Sequence, residues 1–214
     1  IQSMTSGLVV HGVVLAENVE QLDGSLGRTY ALPSLSHIIG YVSYPKKDAK
    51  GIYYDTNMTG ITGLEAEYDA LLAGKNGQLL TETDVTGKVR AEGTIIPAIE
   101  GGTLQLSIDA DLQRHFARAI AGRVQTQRFI AGAGVILDVE TGTVRAIVSY
   151  PSYDSNVMAS GGPSETIAAY NTNSGHPFLD HVVQGVYAPG SIVKPFVASG
   201  ALTDGIITAN TVID

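Results

Sequence analysis

The segment that most constrains the fold of this chain runs from residue 184 to residue 204, QGVYAPGSIVKPFVASGALTD. A turn at Tyr187-Ala188-Pro189-Gly190 precedes an apolar run, which predicts a buried helix that Gly205 terminates. Proline lacks an amide hydrogen and is tolerated only in the first turn of a helix, so Pro195 predicts that the helix begins close to Ser191. The sequence therefore places Ser191 at the mouth of a helix.

Ser191 and Lys194 form the candidate catalytic pair. Residues three apart on a helix share a face, so the two side chains are close enough to share a proton. A serine hydroxyl attacks poorly without a base, and a lysine amine can be that base if burial and neighbouring cations lower its pKa. The backbone N–H of Ser191, at the positive end of the helix dipole, could bind an oxyanion. The alternative is a helix start with a capping serine and a solvated lysine.

A bare S-x-x-K pattern is a weak signal, and the chain contains a second copy that shows why. Ser43-Tyr44-Pro45-Lys46 matches the pattern but lies in a stretch rich in Pro, Lys and Asp, with no helix predicted after it. We interpret this copy as a turn. The assignment of Ser191 as a nucleophile therefore depends on the wider sequence.

Composition narrows the class of protein. The chain has 214 residues, of which 44% are hydrophobic and 16% charged, enough for one large or two small globular domains. A formal charge of -8 argues against nucleic acid or an anionic membrane surface as a partner. With no cysteine, neither a disulfide framework nor a thiolate metal site is expected.

No apolar run in the sequence reaches the length of a transmembrane helix, and the first ten residues lack the features of a signal peptide. The chain begins with Ile1 rather than methionine. We interpret it as a piece of a longer protein.

The first hundred residues predict a β-rich region. Residues 7 to 44 have the pattern of strands separated by Gly and Pro. A short amphipathic helix closed by Gly74 is predicted next, from apolar residues at helical spacing: Leu64, Tyr68, Leu71 and Leu72. Residues 78 to 85 and 88 to 96 then predict two extended segments around a Thr86-Gly87 turn, and residues 97 to 102 predict a linker.

The second half predicts a strand, a long helix and a hairpin. Asp109 is the expected N-cap of the helix, whose apolar side consists of Leu112, Phe116, Ile120 and Val124. Two apolar strands between residues 131 and 150 flank Glu140-Thr141-Gly142, a hairpin signal. A lone hairpin is marginally stable in water, so further strands or helices must pack on it. Residues 163 to 170 predict a short helix, and residues 171 to 183 a loop.

Other groups of polar residues are weaker candidates for a metal-binding or catalytic site. His176, Asp180 and His181 resemble a metal-binding set, but two histidines and one carboxylate in a Gly- and Pro-flanked loop are more typical of ordinary surface, so no metal is expected. The carboxylates of Asp109, Asp111, Asp138 and Glu140 are better explained by a helix cap and a solvated turn than by acid/base catalysis. No cofactor is expected.

Aromatic residues follow the second strand of the predicted hairpin. Tyr150, Tyr153 and Asp154 could line a groove at the end of this strand. Packing of the tyrosines between sheet and loop is the favoured interpretation.

Five blocks in order carry a resemblance to a known family: GLEAEYDALLAGKNG, DVTGKVR, LQLSIDADLQ, GAGVILDVETGTVRAIVSYPSYDSN and QGVYAPGSIVKPFVASGALTDGIITANT. Together they resemble the class B penicillin-binding proteins, and most closely the elongation-type transpeptidases that work with the rod-shape machinery. The resemblance runs from about Arg28 to the C-terminus and is much more specific than S-x-x-K alone.

The resemblance implies an α+β fold in two parts. Residues 1 to 102 would be a β-rich pedestal of the dimerisation type, incomplete at its start. Residues 103 to 214 would be the N-terminal part of a penicillin-binding transpeptidase domain, which is serine β-lactamase-like. Because later strands would complete its sheet, the hairpin at 131 to 150 is expected to lie exposed or to pair with a second copy, by dimerisation or strand exchange.

The same resemblance implies a chemistry. Ser191 would be the nucleophile that attacks the D-Ala-D-Ala carbonyl of a peptidoglycan stem peptide, and Lys194 its general base. The proton acceptor is disputed among S-x-x-K enzymes. A β-lactam would trap the acyl-enzyme. Expected partners are stem peptides, β-lactams and membrane proteins of cell-wall elongation, on the extracytoplasmic side of a bacterial inner membrane, with the anchor outside this chain.

Two departures from the family pattern bear on activity. The S-x-N and K-T/S-G motifs that follow the nucleophile in this family are absent from the 20 residues after Lys194, so the isolated chain is expected to be inactive. Asp180-His181 stands where relatives usually carry Asn-Arg.

Two other classes of function remain open. One is a β-lactamase or β-lactam sensor, although the long N-terminal region with its GLEAEY block argues against it. The other is a non-catalytic scaffold or interaction module of the elongation complex.

Overall fold

A four-stranded sheet begins the fold and combines the first strands of the chain with a strand from beyond residue 102. The computed structural model describes residues 7–10, 13–20, 26–44, 46–47, 49, 53–55, 57–75, 78–84, 88–97 and 99–212. The order in this sheet is β10-β1-β2-β3, with β1 parallel to β10 and antiparallel to β2. Its members are β1 (Gly7–Val10), β2 (Val13–Glu20), β3 (Leu26–Tyr30) and β10 (Thr103–Gln105).

Short elements fill the region between β3 and β10. They are, in chain order, a 3₁₀ turn (Pro33–Leu35), α1 (Ser36–Ile39), β4 (Tyr41–Val42), β5 (Lys46–Lys47), β6 (Tyr53–Asp55), β7 (Gly60–Thr62), α2 (Gly63–Glu67), α3 (Asp69–Leu72), β8 (Gln78–Thr83) and β9 (Val89–Ile96). β4 pairs with β7, β5 with β6, and β8 with β9. The predicted extended segments at 78 to 85 and 88 to 96 are confirmed as β8 and β9, although their turn, residues 85–87, lies outside the described residues.

The prediction of strands throughout residues 7 to 44 is wrong between residues 31 and 40, although a strand returns at Tyr41–Val42. Pro33 begins the 3₁₀ turn, where its fixed φ and missing N–H suit a first helical position. Leu35 and Ile39 lie one helical turn apart and both are buried in the core. The N–H of Gly40 donates to the carbonyl of Ser36 at 2.8 Å, a helical hydrogen bond that a strand does not form.

The predicted amphipathic helix at Leu64 to Leu72 is present as two short helices that meet at Tyr68, and Gly74 follows with a φ of +63°. Its buried face differs from the expected one. Leu72 is buried, whereas Tyr68 and Leu71 are exposed, and Glu65 is buried instead. Glu65 turns inward because it pairs with Arg28 of β3.

After β10, the chain forms the predicted helix and hairpin. The elements are α4 (Ala110–Gln127), β11 (Gly132–Leu137), β12 (Val144–Tyr150), α5 (Ser155–Ser160) and α6 (Ser164–Thr172), then a 3₁₀ turn (Gly190–Val193) and α7 (Lys194–Thr203). Asp109 caps α4 by accepting hydrogen bonds from the backbone N–H groups of Asp111 and Leu112. Helix α5 was not predicted, and α6 extends the short helix expected at 163 to 170.

Helix α4 covers one face of the hairpin, and the other face is open on β11 but covered on β12, where Ser149 is buried and Ile147 packs against the core. Helix α4 packs against the hairpin so closely that a Cβ at Gly134 would lie 2.5 Å from Phe116 Cζ. On β11, Val135 and Leu137 are exposed, whereas Ala146 and Val148 of β12 are buried. The expected exposure therefore holds for the outer face of β11, and pairing with a second copy stays a prediction.

One core draws on residues from both sides of residue 102. Leu15, Leu35 and Ile39 come from the first side, and Ile108, Ala110 and Ala159 from the second. The chain divides into two compact units, Ile1–Gln184 and Gly185–Asp214, so the predicted boundary at 102 lies inside the first unit. Among the described residues, no helix has the length and apolar character needed to cross a membrane.

Candidate active site

Ser191 lies in the 3₁₀ turn that leads directly into α7, and Lys194 is the first residue of that helix. Gly190 begins the turn with a φ of +56°, a conformation that glycine adopts without strain. The backbone N–H of Lys194 donates to the carbonyl of Ser191. The predicted helix start close to Ser191 is confirmed.

The end of α7 also follows the prediction. Gly205 has a φ of +69°, and its N–H donates to the carbonyl of Leu202 at 3.2 Å. The next N–H, of Ile206, donates to the carbonyl of Ala201 at 2.9 Å. A glycine in the left-handed region is a frequent helix terminator.

The expectation that α7 is a buried helix is wrong for this structure. Phe196 is 78% exposed, and Ile192, Val197 and Leu202 are exposed as well. Between residues 185 and 212 the chain forms only the 3₁₀ turn, α7 and loops, which supply no second layer against which a helix could bury a face.

The side chains of Ser191 and Lys194 are both exposed. No side-chain hydrogen bond caps the 3₁₀ turn or α7, so Ser191 is not the capping serine of the alternative interpretation. No hydrogen bond joins the two side chains among the contacts of the described residues. Their roles as nucleophile and general base stay predictions. The second S-x-x-K copy is not followed by a helix, since Lys46 lies in β5.

The surface interpretation of the Asp180-His181 pair is wrong, because both side chains are buried. His181 donates its backbone N–H to Ser149 Oγ at 2.9 Å, and its Nε2 lies 2.9 Å from the carbonyl oxygen of Gly175. Asp180 Oδ1 accepts from the backbone N–H of Val182. Within the described ranges, no group of three His, Cys, Asp or Glu residues could hold a metal ion.

The remaining carboxylates have structural roles. Asp111 pairs with Arg114 on the exposed side of α4. Asp138 is partly exposed in the hairpin turn, and hydrogen bonds from the backbone and hydroxyl of Thr141, then from the backbone N–H of Glu140, hold its pKa below the ordinary value. This agrees with the predicted solvated turn.

The tyrosines after β12 pack as expected. Tyr153 is buried, and its ring centroid lies 5.3 Å from that of His37 and 5.2 Å from that of Phe178. Its hydroxyl donates to the carbonyl of Ser36 at 2.8 Å, and burial raises its pKa. Asp154 is the N-cap of α5.

Three buried polar contacts were missed by the sequence analysis. Arg28 and Glu65 form an ion pair at 2.9 Å in which each side chain is only 2% exposed. The side-chain amide of Gln113 accepts from the N–H of Ile147 and donates to its carbonyl. Asn156 bonds both the N–H and the carbonyl of Tyr30. Only Arg28 left a signal, as the one charged residue of β3.

Two family models match the chain. The penicillin-binding protein dimerisation domain matches residues 21–106, and the penicillin-binding protein transpeptidase domain matches residues 132–214. The second match contains Ser191 and Lys194.

Curated relatives and solved structures agree with these models. The peptidoglycan D,D-transpeptidase MrdA of Haemophilus influenzae is 34% identical over 189 residues, covering 84% of this chain and 28% of the relative. The chain therefore spans less than a third of that relative's length. In a crystal structure of Pseudomonas aeruginosa PBP2 in complex with WCK 5153, 42% of the chain matches 98% of this one, with 31% identity and a TM-score of 0.71.

A second similar solved structure contains a partner protein. It is a complex between PBP2 and MreC from Helicobacter pylori, 28% identical with a TM-score of 0.63, in which the match covers 88% of this chain and 35% of the other. Both domain models occur here in the order that the sequence blocks predicted. The chain thus belongs to the elongation-type class B penicillin-binding proteins.

Proposed function

We propose that the protein containing these residues is a peptidoglycan D,D-transpeptidase that acts through an acyl-enzyme on Ser191. The observation that carries this proposal is the placement of Ser191 and Lys194 at the beginning of α7, inside the segment that matches the transpeptidase domain. The name of the H. influenzae relative supports the reaction.

In the proposed first step, Ser191 Oγ attacks the carbonyl carbon between the two D-alanines of a stem peptide, and Lys194 Nζ accepts the hydroxyl proton. Backbone N–H groups in the first turn of a helix have no intrahelical partner, so the N–H of Ser191 can stabilise the oxyanion. The C–N bond then breaks, and the terminal D-alanine leaves as an amine that takes up a proton.

In the second step, the amine of another stem peptide attacks the ester carbonyl, and the bond to Ser191 Oγ breaks. A proton from the amine restores the serine hydroxyl, and the new amide bond is the cross-link. A β-lactam undergoes the same attack by Ser191. Its leaving amine stays tethered to the acyl group, so the acyl-enzyme persists.

The proposal assigns residues 1–102 to a pedestal and residues 103–214 to the transpeptidase domain. The pedestal would bind membrane proteins of the elongation machinery on the extracytoplasmic side of the bacterial inner membrane. The H. pylori complex of PBP2 with MreC supports a partner of this kind.

Intact-mass spectrometry after incubation with a penicillin tests the catalytic proposal. We expect one adduct on a protein extended through the rest of the transpeptidase domain and none on its Ser191→Ala variant. The Ser43→Ala variant is the matched control, because it removes the other S-x-x-K serine, and it should be acylated like the parent. An adduct that persists in Ser191→Ala would refute the assignment.

The 214-residue chain alone is expected to remain unmodified, because the S-x-N and K-T/S-G motifs do not occur after Lys194. Acylation of this chain at Ser191 would show that the serine is activated without them. The acylation proposal itself would then stand, while the requirement for the later motifs would fall.

A non-catalytic interaction module is the second candidate function, favoured by the H. pylori complex. Binding of an MreC-type protein by the whole 214-residue chain, in a pull-down, would support it. A β-lactamase or sensor is less well supported, because the dimerisation model matches residues 21–106. Deacylation within seconds rather than hours would favour the β-lactamase.

A further inference from the structure

Helix α1, in the segment that matches the dimerisation domain, is bonded directly to two segments that match the transpeptidase domain. His37 Nε2 lies 2.7 Å from the carbonyl oxygen of Pro177. Next to it, Tyr153 Oη donates to the carbonyl of Ser36, and Ser155 Oγ donates to the carbonyl of Gly40 at 2.7 Å. Three hydrogen bonds thereby join the segment from Ser36 to Gly40 to the two transpeptidase-matching segments.

The hydrogen-bond pattern fixes the tautomer of His37. A carbonyl oxygen can only accept, so Nε2 must carry the hydrogen that points at Pro177. In the neutral imidazole Nδ1 is then the acceptor, and it faces Ser152 Oγ at 3.4 Å. The ring also packs edge-on against Tyr153, with an interplanar angle of 72°.

The loop that His37 contacts is closely packed on its other side. A Cβ at Gly175 would lie 2.6 Å from Pro151 Cγ and 2.8 Å from the carbonyl oxygen of Ile130. His181 anchors the far end of the loop through Ser149 and Gly175. His37 is the contact that joins this loop to α1.

We propose that neutral His37 is a pH-sensitive clamp that holds the loop Gly175–His181 of the transpeptidase part against α1 of the dimerisation part. Protonation keeps the Nε2–H donor but places a positive charge in this half-buried contact, which weakens the clamp. The proposal does not depend on acylation of Ser191.

Charge and burial around His37 give the direction of the pH effect. Burial lowers the pKa of His37 most, and His181 lowers it further, while the carbonyl of Pro177 and the carboxylate of Asp180 act in the opposite direction. The other titratable groups against the ring are Tyr153, held neutral by burial, and Tyr41, whose ring packs on Tyr153. Among these described neighbours of His37, Asp180 is the only carboxylate.

The direction in which pH changes the stability follows from the linkage between proton binding and folding. The folded clamp binds a proton less readily than a free histidine, whose ordinary pKa is 6.5. The contribution of His37 to stability is therefore complete above pH 6.5 and is lost as the pH falls below that value toward the lowered pKa.

Two substitutions separate the parts of the clamp. His37→Gln keeps an N–H donor near the position of Nε2 but cannot titrate. His37→Phe keeps the ring against Tyr153 but has no donor. His115, exposed on α4, supplies the matched control variants His115→Gln and His115→Phe.

The readout is hydrogen exchange by mass spectrometry on the intact protein, with rates corrected for intrinsic exchange. In the parent, protection of residues 175–184 should fall by a factor of three to ten, as an order of magnitude, between about pH 7.5 and about pH 5.5. His37→Gln should abolish this pH dependence. His37→Phe should show the lower protection at both pH values, with α4 unchanged, and the His115 variants should behave like the parent.

Two results would overturn the proposal. One is an unaltered pH dependence in His37→Gln, which would assign the titration to another group such as His181. The other is normal protection of residues 175–184 in His37→Phe at neutral pH. If His37→Phe loses protection in α4 as well, the pH dependence of His37→Gln decides the question alone.

Discussion

The parts of the chain before and after Gly185 differ in which side chains they bury. Before it, Arg28, Glu65 and Gln113 are buried. After it, Ile192 and Phe196 are exposed to solvent. Burial therefore follows available partners rather than hydrophobicity alone. The polar groups of the first part have bonding partners inside that part, whereas the second part consists of one helix, a 3₁₀ turn and loops, which supply no second layer of their own.

The largest effect is expected at the buried ion pair. Glu65→Ala removes the carboxylate that faces the Arg28 guanidinium, and breaking such a pair from one side destabilises a protein by about 3 to 5 kcal/mol. Urea unfolding followed by circular dichroism measures this change. Glu67→Ala, on the same helix but exposed, is the control and should cost less than about 0.5 kcal/mol. Equal losses of unfolding free energy in both variants would mean that the buried pair of Glu65 contributes no more than an exposed glutamate.

A smaller loss is expected at Gln113, which is fully buried. Gln113→Leu keeps most of the side-chain volume but leaves the N–H and carbonyl of Ile147 and the carbonyl of Ser34 without this partner. We expect a loss of about 2 to 3 kcal/mol in the same unfolding measurement. Gln125→Leu on the exposed side of α4 is the matched control. Unchanged stability in Gln113→Leu would show that these backbone groups find other partners.

The smallest effect is expected at Phe196, although removing a phenylalanine from a core costs about 3 to 5 kcal/mol. Because its side chain is 78% exposed, Phe196→Ala should change the stability of the 214-residue chain by less than about 0.5 kcal/mol. The same substitution in a protein extended through the rest of the domain should be more costly if later residues cover α7. A loss of several kcal/mol in the 214-residue chain would contradict the comparison between its two parts.

Features governed by neighbouring residues could be predicted from the sequence. The cap at Asp109 needs only the two N–H groups that follow it, the hairpin turn at Asp138 is closed by Glu140 and Thr141, and α7 begins and ends where Pro195 and Gly205 require. Contacts between distant residues could not be predicted. Arg28 finds Glu65 37 positions later, and Gln113 reaches Ser34 across 79 positions. No local pattern encodes such partners.

The candidate site likewise has features that the sequence could predict and features that it could not. Ser191 and Lys194 could be placed at a helix beginning from the residues around them, and the structure has them there. Residues 185 to 212 supply no second layer of their own, which helical periodicity does not reveal, so the predicted burial of α7 was wrong. The buried Asp180-His181 pair was mistaken for surface because its partners, such as Ser149, belong to another segment.

The parallel pairing of β1 with β10 sets a timetable for biosynthesis. Gly7 pairs with Thr103, so the first strand waits for 96 further residues (103 − 7) before its neighbour exists. At 5 to 20 residues per second, translation takes about 5 to 20 s to supply β10. Until then one edge of β1 has no strand beside it, and an open edge can pair with another nascent chain. Synthesis of β10 therefore sets the earliest time at which this edge can close.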